Sequence, residues 1–460
     1  MHTIAAAPCR CSRLPPAAAR VLPLRQRLLW HRSLRSRRSS SSSSTSGSGA
    51  AGAVASPTST EYDYVVVGAG SAGCVLAHRL SAGGLYSVLL LESGPRDTDF
   101  WLHLPVGYYK TTHDPRFDWC FKTEPEPALN GRRLGWPRGR VLGGSSSING
   151  MLHVRGQPED YDAWATEHGC QGWSFEEVLP YFRKSEDQEG GDRELHGAGG
   201  PLSVSDSRIS LPIADAFLAG CAEAGIGRLV GAARQQHDAV DLNGRQPEGA
   251  GYCQATQRDG WRCSTATAYL KSISDDARLT IETGCTVRRA LLTAEHEKGG
   301  ASGGSCSRAL RATGVEYSSQ SDPSAAAGGT IVTAHARKEV ILCAGTIGSP
   351  HLLMLSGVGE PAQLEAAGIT VTRPLPGVGK NLQDHLQVRS IYKSRAPTIN
   401  DAVRSPIGLL QMAWQFATNR EPTAFLEFSL CLSRACLGER YIIYINGAKS
   451  HAHPRLPASY

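Results

Sequence analysis

The chain has 460 residues, enough for a large α/β enzyme or several smaller domains, and its 41% hydrophobic and 20% charged residues are the balance of a globular protein. No stretch reaches the roughly 18 continuous apolar residues of a membrane-spanning helix. The net charge of +6 belongs to the first 60 residues, which hold nine arginines (Arg10, Arg13, Arg20, Arg25, Arg27, Arg32, Arg35, Arg37 and Arg38) and no lysine, aspartate or glutamate. Beyond them 39 basic side chains face 42 acidic ones, so a nucleic-acid surface is not expected.

That leader places Val21, Leu22, Leu24, Leu28, Leu29 and Trp30 between its arginines and ends in a serine tract, Ser39 to Ser44. This is the composition of a mitochondrial presequence, the bland alternative being a disordered tail. A secretory signal fits poorly, because arginines interrupt every apolar core. The 13 cysteines include no Cys-x-x-Cys, so no metal site is expected and the thiols read as reduced, mostly small core residues.

Ordered structure is expected from Glu61. Tyr62 to Val67 reads as a buried strand, Cys74 to Leu80 has helical spacing, and a second strand, Ser87 to Leu91, ends in Glu92. Residues 157–265 are mixed, with helical patterns at Phe175 to Lys184 and Ile213 to Ala224, and form a candidate second lobe. Downstream, Leu279 to Thr283, Val287 to Ala294 and Ala312 to Ser318 alternate as strands of a meander, and Ile331 to Thr333 leads to a separate buried strand, Glu339 to Ala344. Gly299 to Ser307 and Ser318 to Gly329 read as surface loops.

Three motifs carry chemistry. Gly68-x-Gly70-x-x-Gly73 lies between strand and helix, where the first glycine permits a tight turn, the second lets backbone approach a pyrophosphate, and the third lets helix pack on strand. The helix N-terminus offers N–H groups and a positive dipole end to phosphates. Glu92, 19 residues after Gly73, suits the ribose hydroxyls of an adenosine and repels a 2′-phosphate, which argues against NADP. This unit alone does not separate FAD from NAD. The second motif, Arg138 to Gly156, gathers Gly143, Gly144 and three serines; the third, Gly345 to Gly359, follows the last strand.

Together with Gly377-Val-Gly-Lys-Asn-Leu-Gln-Asp-His385, these motifs resemble the glucose-methanol-choline flavoprotein oxidoreductases over about residues 62–427, and most of all the family's choline-oxidising branch. Text such as Trp136-Pro-Arg-Gly-Arg-Val141 and Pro158-Glu-Asp-Tyr-Asp-Ala-Trp164 supports the branch. The resemblance implies an α/β fold: a Rossmann-like FAD-binding domain with a β-meander (residues 61–156 and 265–385) and an incomplete α+β substrate-binding domain (157–264 and 386–427). Residues 1–60 are then the leader and 428–460 a divergent tail. It implies FAD held through Val67, Gly68, Gly70, Ser71, Ala72, Gly73, Glu92, Ser93 and Gly94, with Val287 at the adenine. Arg140, Gly143, Gly144, Ser145, Asn149, Gly150 and Met151 would lie along the flavin, although Arg140 also reads as a surface charge and Met151 as core filler. The implied substrate is a small alcohol, choline, and the electron acceptor is the respiratory chain rather than NAD, since no second dinucleotide motif follows. Peripheral association with an inner membrane is a further implied partnership. Of Trp101, Tyr108, Tyr109, Trp119, Phe121 and Trp136, most are expected in the core and one or two in a pocket for a quaternary ammonium.

The family's catalytic histidine and its histidine or asparagine partner lie in a C-terminal block whose text is not found after Glu427. No catalytic residue is therefore assigned, neither His453 nor His385 beside Asp384. Two other readings stay open: a non-catalytic isoform that binds or regulates a full-length enzyme, and an oxidase of another alcohol.

Overall fold

The computed structural model describes residues 59–190, 194–206, 212–224, 241–245, 251–273, 276–295, 309–319, 330–384, 388–389, 405–408, 410–411, 414 and 444–445. The chain divides after Ala55, and every described residue belongs to the second unit, Ser56–Tyr460. The leader motif, the insertions beyond Ser319 and around residues 299–307, His385 and His453 lie outside the described residues.

The first strand, β1 (Ser59–Val67), leads through the glycine loop into α1 (Ser71–Ser81) and then β2 (Val88–Glu92). In the lobe that follows are α2 (Pro158–Thr166), α3 (Phe175–Ser185) and α4 (Pro212–Glu223). The chain returns through β3 (Leu279–Thr283), β4 (Cys285–Glu295), β5 (Ala309–Ser319) and β6 (Thr330–Leu342) into α5 (Gly345–Leu355). These strands form one six-stranded sheet in the order β3-β2-β1-β6-β5-β4. The pairs from β3 to β6 are parallel and the last two antiparallel.

Two expectations change. Leu279–Thr283 is not a meander strand; it extends the parallel half by pairing with β2, Leu279 opposite Val88. Alternation identifies a strand without naming its partner, and here Leu279 joins the core on the α1 side of the sheet. Ile331 to Thr333 and Glu339 onward are also one 13-residue strand rather than two. Between the two runs Arg337 and Lys338 form a bulge, where the register passes from Tyr62 opposite Ala336 to Tyr64 opposite Glu339. Arg337 there donates to Asp63 (3.1 Å) and Glu61 (3.4 Å), and this bond holds the Asp63 carboxyl well below the usual carboxylate range.

Successive residues of β1 and β2 feed opposite faces. Val66, Val88 and Leu90 pack with Ala69, Cys74, Ala77, Tyr269 and Leu270, while Val65, Val67, Leu89 and Leu91 pack with Val315, Tyr317, Ala334 and Leu352. All five residues of β2 are buried, as a strand covered on both faces requires.

The second lobe is pinned by a buried charge knot. Glu186, 1% exposed, accepts hydrogen bonds from Arg155 Nη2 (2.7 Å) and the Gly197 N–H (3.1 Å), and lies 3.0 Å from His153 Nε2 and 3.1 Å from His196 Nδ1. The far nitrogen of His196 is 2.7 Å from Asp241 Oδ2. Burial opposes both charges, yet Asp241 and Glu186 push the His196 imidazole up to about 9, and its hydrogen bonds with His153 and His196 and the Arg155 charge hold Glu186 well below the carboxylate range.

Candidate functional site: a dinucleotide cradle

At the end of β1 the chain turns through Gly68, whose φ of +95° and whose Cβ position, 2.6 Å from the Cys343 carbonyl oxygen, admit only glycine. A Cβ on Gly73 would strike the Gly68 carbonyl. Gly70 is the opposite case: its φ is −78° and a Cβ there would meet nothing within 4 Å. Internal packing thus demands the outer glycines, and only an occupant of the open space demands the middle one. Gly70 is also the N-cap of α1, where no side chain caps the helix and no acidic residue occupies the first turn. The positive end of the helix is left for an anion.

Glu92, 6% exposed, braces this loop by accepting the N–H of Ala69 (2.9 Å) and of Gly94 (2.8 Å). Burial raises its pKa against those two bonds and the Arg140 charge. Each carboxylate oxygen keeps a lone pair for a further donor. Ser93 Oγ lies 2.7 Å from Thr286 Oγ1, and the Gly284 N–H donates to the Gly94 carbonyl (3.0 Å), which brings Val287 on β4 beside the end of β2. Val287 itself is half-buried in the sheet core.

The Arg138–Gly156 stretch closes on this loop through bare backbone. Gly143 N–H donates to the Ala69 carbonyl (2.8 Å), and a Cβ on Gly144 would sit 2.6 Å from Gly70 Cα. Arg140 reaches the Ser93 carbonyl (3.4 Å) and lies over the Trp119 ring at 5.3 Å, so it is tied to the cradle rather than a loose surface charge. Ser145 Oγ accepts the Gly139 N–H (3.0 Å), Asn149 is exposed, and Gly150 is half-buried. Met151 has a φ of +63°, and its side chain is buried against Ala255. Packing and hydrogen bonds thus gather Gly68, Gly70, Gly73, Glu92, Ser93, Gly94, Arg140, Gly143 and Gly144 around one loop, whereas Val67, Val287 and the Met151 side chain pack in hydrophobic core.

Sequence reasoning missed the segment that supports the cradle from behind. Thr265 Oγ1 lies 2.9 Å from Ser146 Oγ and donates to the Gly143 carbonyl (3.4 Å), and Arg262 Nη1 donates to the Ser146 carbonyl (3.1 Å) and Asn149 Oδ1 (2.8 Å). These partners are more than 110 residues apart in the chain, so no local motif announces them. The aromatic expectation also needs correction. None of the six aromatics is buried: Trp101 is 40%, Tyr109 38% and Trp119 37% exposed, and the other three are half-buried. Two-residue strands at Phe121–Lys122 and Gly135–Trp136 are too short to cover such rings, which instead stack on one another, as Trp119 does on Phe121, or lie under Arg138 and Arg140.

The donor set suits a dinucleotide: open space over Gly70, an uncapped helix end, a buried carboxylate with lone pairs to spare, and a buried Arg140 Nε with no hydrogen-bond partner. Among the described residues no His, Cys, Asp and Glu cluster could hold a metal, and no helix is long and apolar enough to cross a membrane. Sheet and cradle together have the form of an α/β dinucleotide-binding fold.

The chain belongs to the GMC oxidoreductase family, whose model matches residues 62–387 and whose members are FAD-dependent flavoproteins. It is 40% identical over 378 residues to human mitochondrial choline dehydrogenase, covering 80% of this chain and 58% of that protein. To the oxygen-dependent choline dehydrogenase of Photobacterium profundum it is 41% identical over 356 residues, covering 76% and 56%. Pyridoxine 4-oxidase from Mesorbium loti superposes with a TM-score of 0.62 at 34% identity, covering 73% of this chain and 60% of that one. The chain thus spans a little over half the length of the curated relatives it matches.

Proposed function

We propose that the protein serves FAD-dependent oxidation of an alcohol, choline to betaine aldehyde, with the electrons passed on to a respiratory chain. The observation that carries the cofactor half is the contrast between Gly70, open on its Cβ side, and Gly68 and Gly73, closed by their neighbours. Bound FAD would supply a hydride acceptor for the alcohol carbon. The chain's own residues do the holding: the Gly70 backbone and the α1 amides receive phosphates, Glu92 takes ribose hydroxyls, and the Gly143–Met151 turn shapes the flavin end. Recognition of a trimethylammonium group falls to aromatic faces and carboxylates, since it has no N–H to donate. Trp119 and Trp136 already carry an arginine at 5.3 and 5.6 Å, which leaves that task to other rings. The hydroxyl proton is assigned to no described residue.

Visible absorbance of the purified chain tests the cofactor, and choline-dependent reduction of a dye, compared with oxygen consumption, tests substrate and acceptor. A colourless protein, or a flavoprotein indifferent to choline, overturns the corresponding half. The mitochondrial location rests on the arginine-rich leader. Fused to a fluorescent protein, it should direct import, and replacing Arg25, Arg27, Arg32 and Arg35 by glutamate should abolish import. Cytosolic fluorescence from the intact leader refutes it.

A further inference from the structure

Arg262 has no role in the cradle as the motifs describe it. Its residue is 2% exposed, in the short strand Trp261–Arg262 paired with Gln257–Arg258. One nitrogen, Nη1, makes both of its hydrogen bonds, to the Ser146 carbonyl and Asn149 Oδ1, while Nε and Nη2 are buried without a hydrogen-bond partner. Among the described residues no carboxylate pairs with it. Burial lowers its pKa to about 9, which still leaves the guanidinium charged at neutral pH. A buried cation without a counter-charge is costly, so a fold that keeps one gains by the charge itself or by what it fixes. Both acceptors it fixes, Ser146 and Asn149, stand in the turn that receives the flavin. Resting on the FAD reading above, we propose that Arg262 is a positioning residue that sets the Ser146–Asn149 turn and places an unneutralised positive charge behind it, making the bound flavin easier to reduce. The chemistry balances simply: the alcohol C–H bond breaks and its electron pair passes with the hydrogen to FAD, the alcohol becomes an aldehyde as its hydroxyl proton leaves to a base, and the reduced cofactor carries added negative charge. A fixed cation one hydrogen bond behind the turn favours that charge.

The test is the midpoint potential of the FAD-loaded full chain, read by equilibration with a reference dye, for wild type, Arg262→Gln and Arg262→Lys. Flavin content and circular dichroism are measured beside it. Arg262→Gln, whose shorter side chain keeps an amide donor but has no charge, should lower the equilibrium constant for two-electron reduction about tenfold, a shift of about 30 mV. Arg262→Lys, which keeps the charge, should stay within about threefold of wild type. An unchanged potential in Arg262→Gln overturns the proposal, and so does a drop in Arg262→Lys as large as the one expected for glutamine. If glutamine prevents folding, the lysine variant decides alone; if both variants lose their secondary structure, the arginine serves folding only and the proposal fails. Wild-type protein that takes up no FAD refutes the cofactor reading instead, before any variant is compared.

Discussion

Glu92 and Glu186 are the same residue type, almost equally buried, and their pKa values move in opposite directions. Glu92 holds two backbone N–H groups and feels the Arg140 charge without forming an ion pair among the described residues, so burial prevails and its charge is disfavoured. Glu186 is surrounded by Arg155, His153, His196 and the Gly197 N–H, so its charge is held firmly. A buried carboxylate with all its partners supplied by the chain is finished architecture; one left short of donors is waiting for a ligand. On this contrast Glu186 is the structural centre of the second lobe, and Glu92 is the residue proposed for the ribose.

The sharpest way to break this contrast is at the finished site. Glu186→Gln should lower stability by about 3–5 kcal/mol, because Arg155 and protonated His196 would be left facing a neutral amide. Urea unfolding measures it, and a loss under about 1 kcal/mol would mean the knot is incidental. At the unfinished site Gly70→Val should leave unfolding unchanged within about 0.5 kcal/mol, since its side chain enters open space, yet abolish FAD retention in visible absorbance. Equal flavin content in variant and wild type would refute the cradle.

A pH series comes next. His196 is raised to about 9 from its ordinary 6.5, so its contribution is complete below about 6.5 and declines as pH rises through 9, by up to about 3 kcal/mol. Glu186 and Asp241 are depressed, so theirs is lost as pH falls below the ordinary carboxylate range. Stability should therefore peak in mildly acidic solution, and His196→Gln should flatten the alkaline side. An alkaline limb of the same steepness in that variant would assign the titration elsewhere. The smallest effect is Glu92→Gln, in which an amide N–H₂ must face either the Ala69 or the Gly94 N–H: about 1–2 kcal/mol of stability and a comparable weakening of FAD, followed by flavin titration. FAD affinity equal to wild type would remove Glu92 from the ribose.

These two sites were not equally legible in the sequence. Gly68, Gly70, Gly73 and Glu92 lie within one strand-turn-helix-strand unit, so spacing alone exposed them. Glu186 draws on His153 and Arg155 from one segment and on His196 and Asp241 from two others far along the chain, and an isolated histidine or arginine carries no sign of its partner. The same limit hid Arg262 and Thr265. It also assigned Leu279–Thr283 to the wrong half of the sheet, because partner choice depends on which core a strand's apolar face completes.

The order of the sheet has a consequence for synthesis. β1 has β2 on one side, made within some 20 residues of it, but on the other side it needs β6, whose residues 333–342 lie more than 270 positions downstream. At translation rates of roughly 5–20 residues per second, that edge stays open for tens of seconds, with three consecutive valines ready to pair with any passing strand. The nascent chain must be shielded over that interval, and a slow stretch of codons or a scarce chaperone between residues 67 and 342 would reduce yield without altering a single contact in the finished protein.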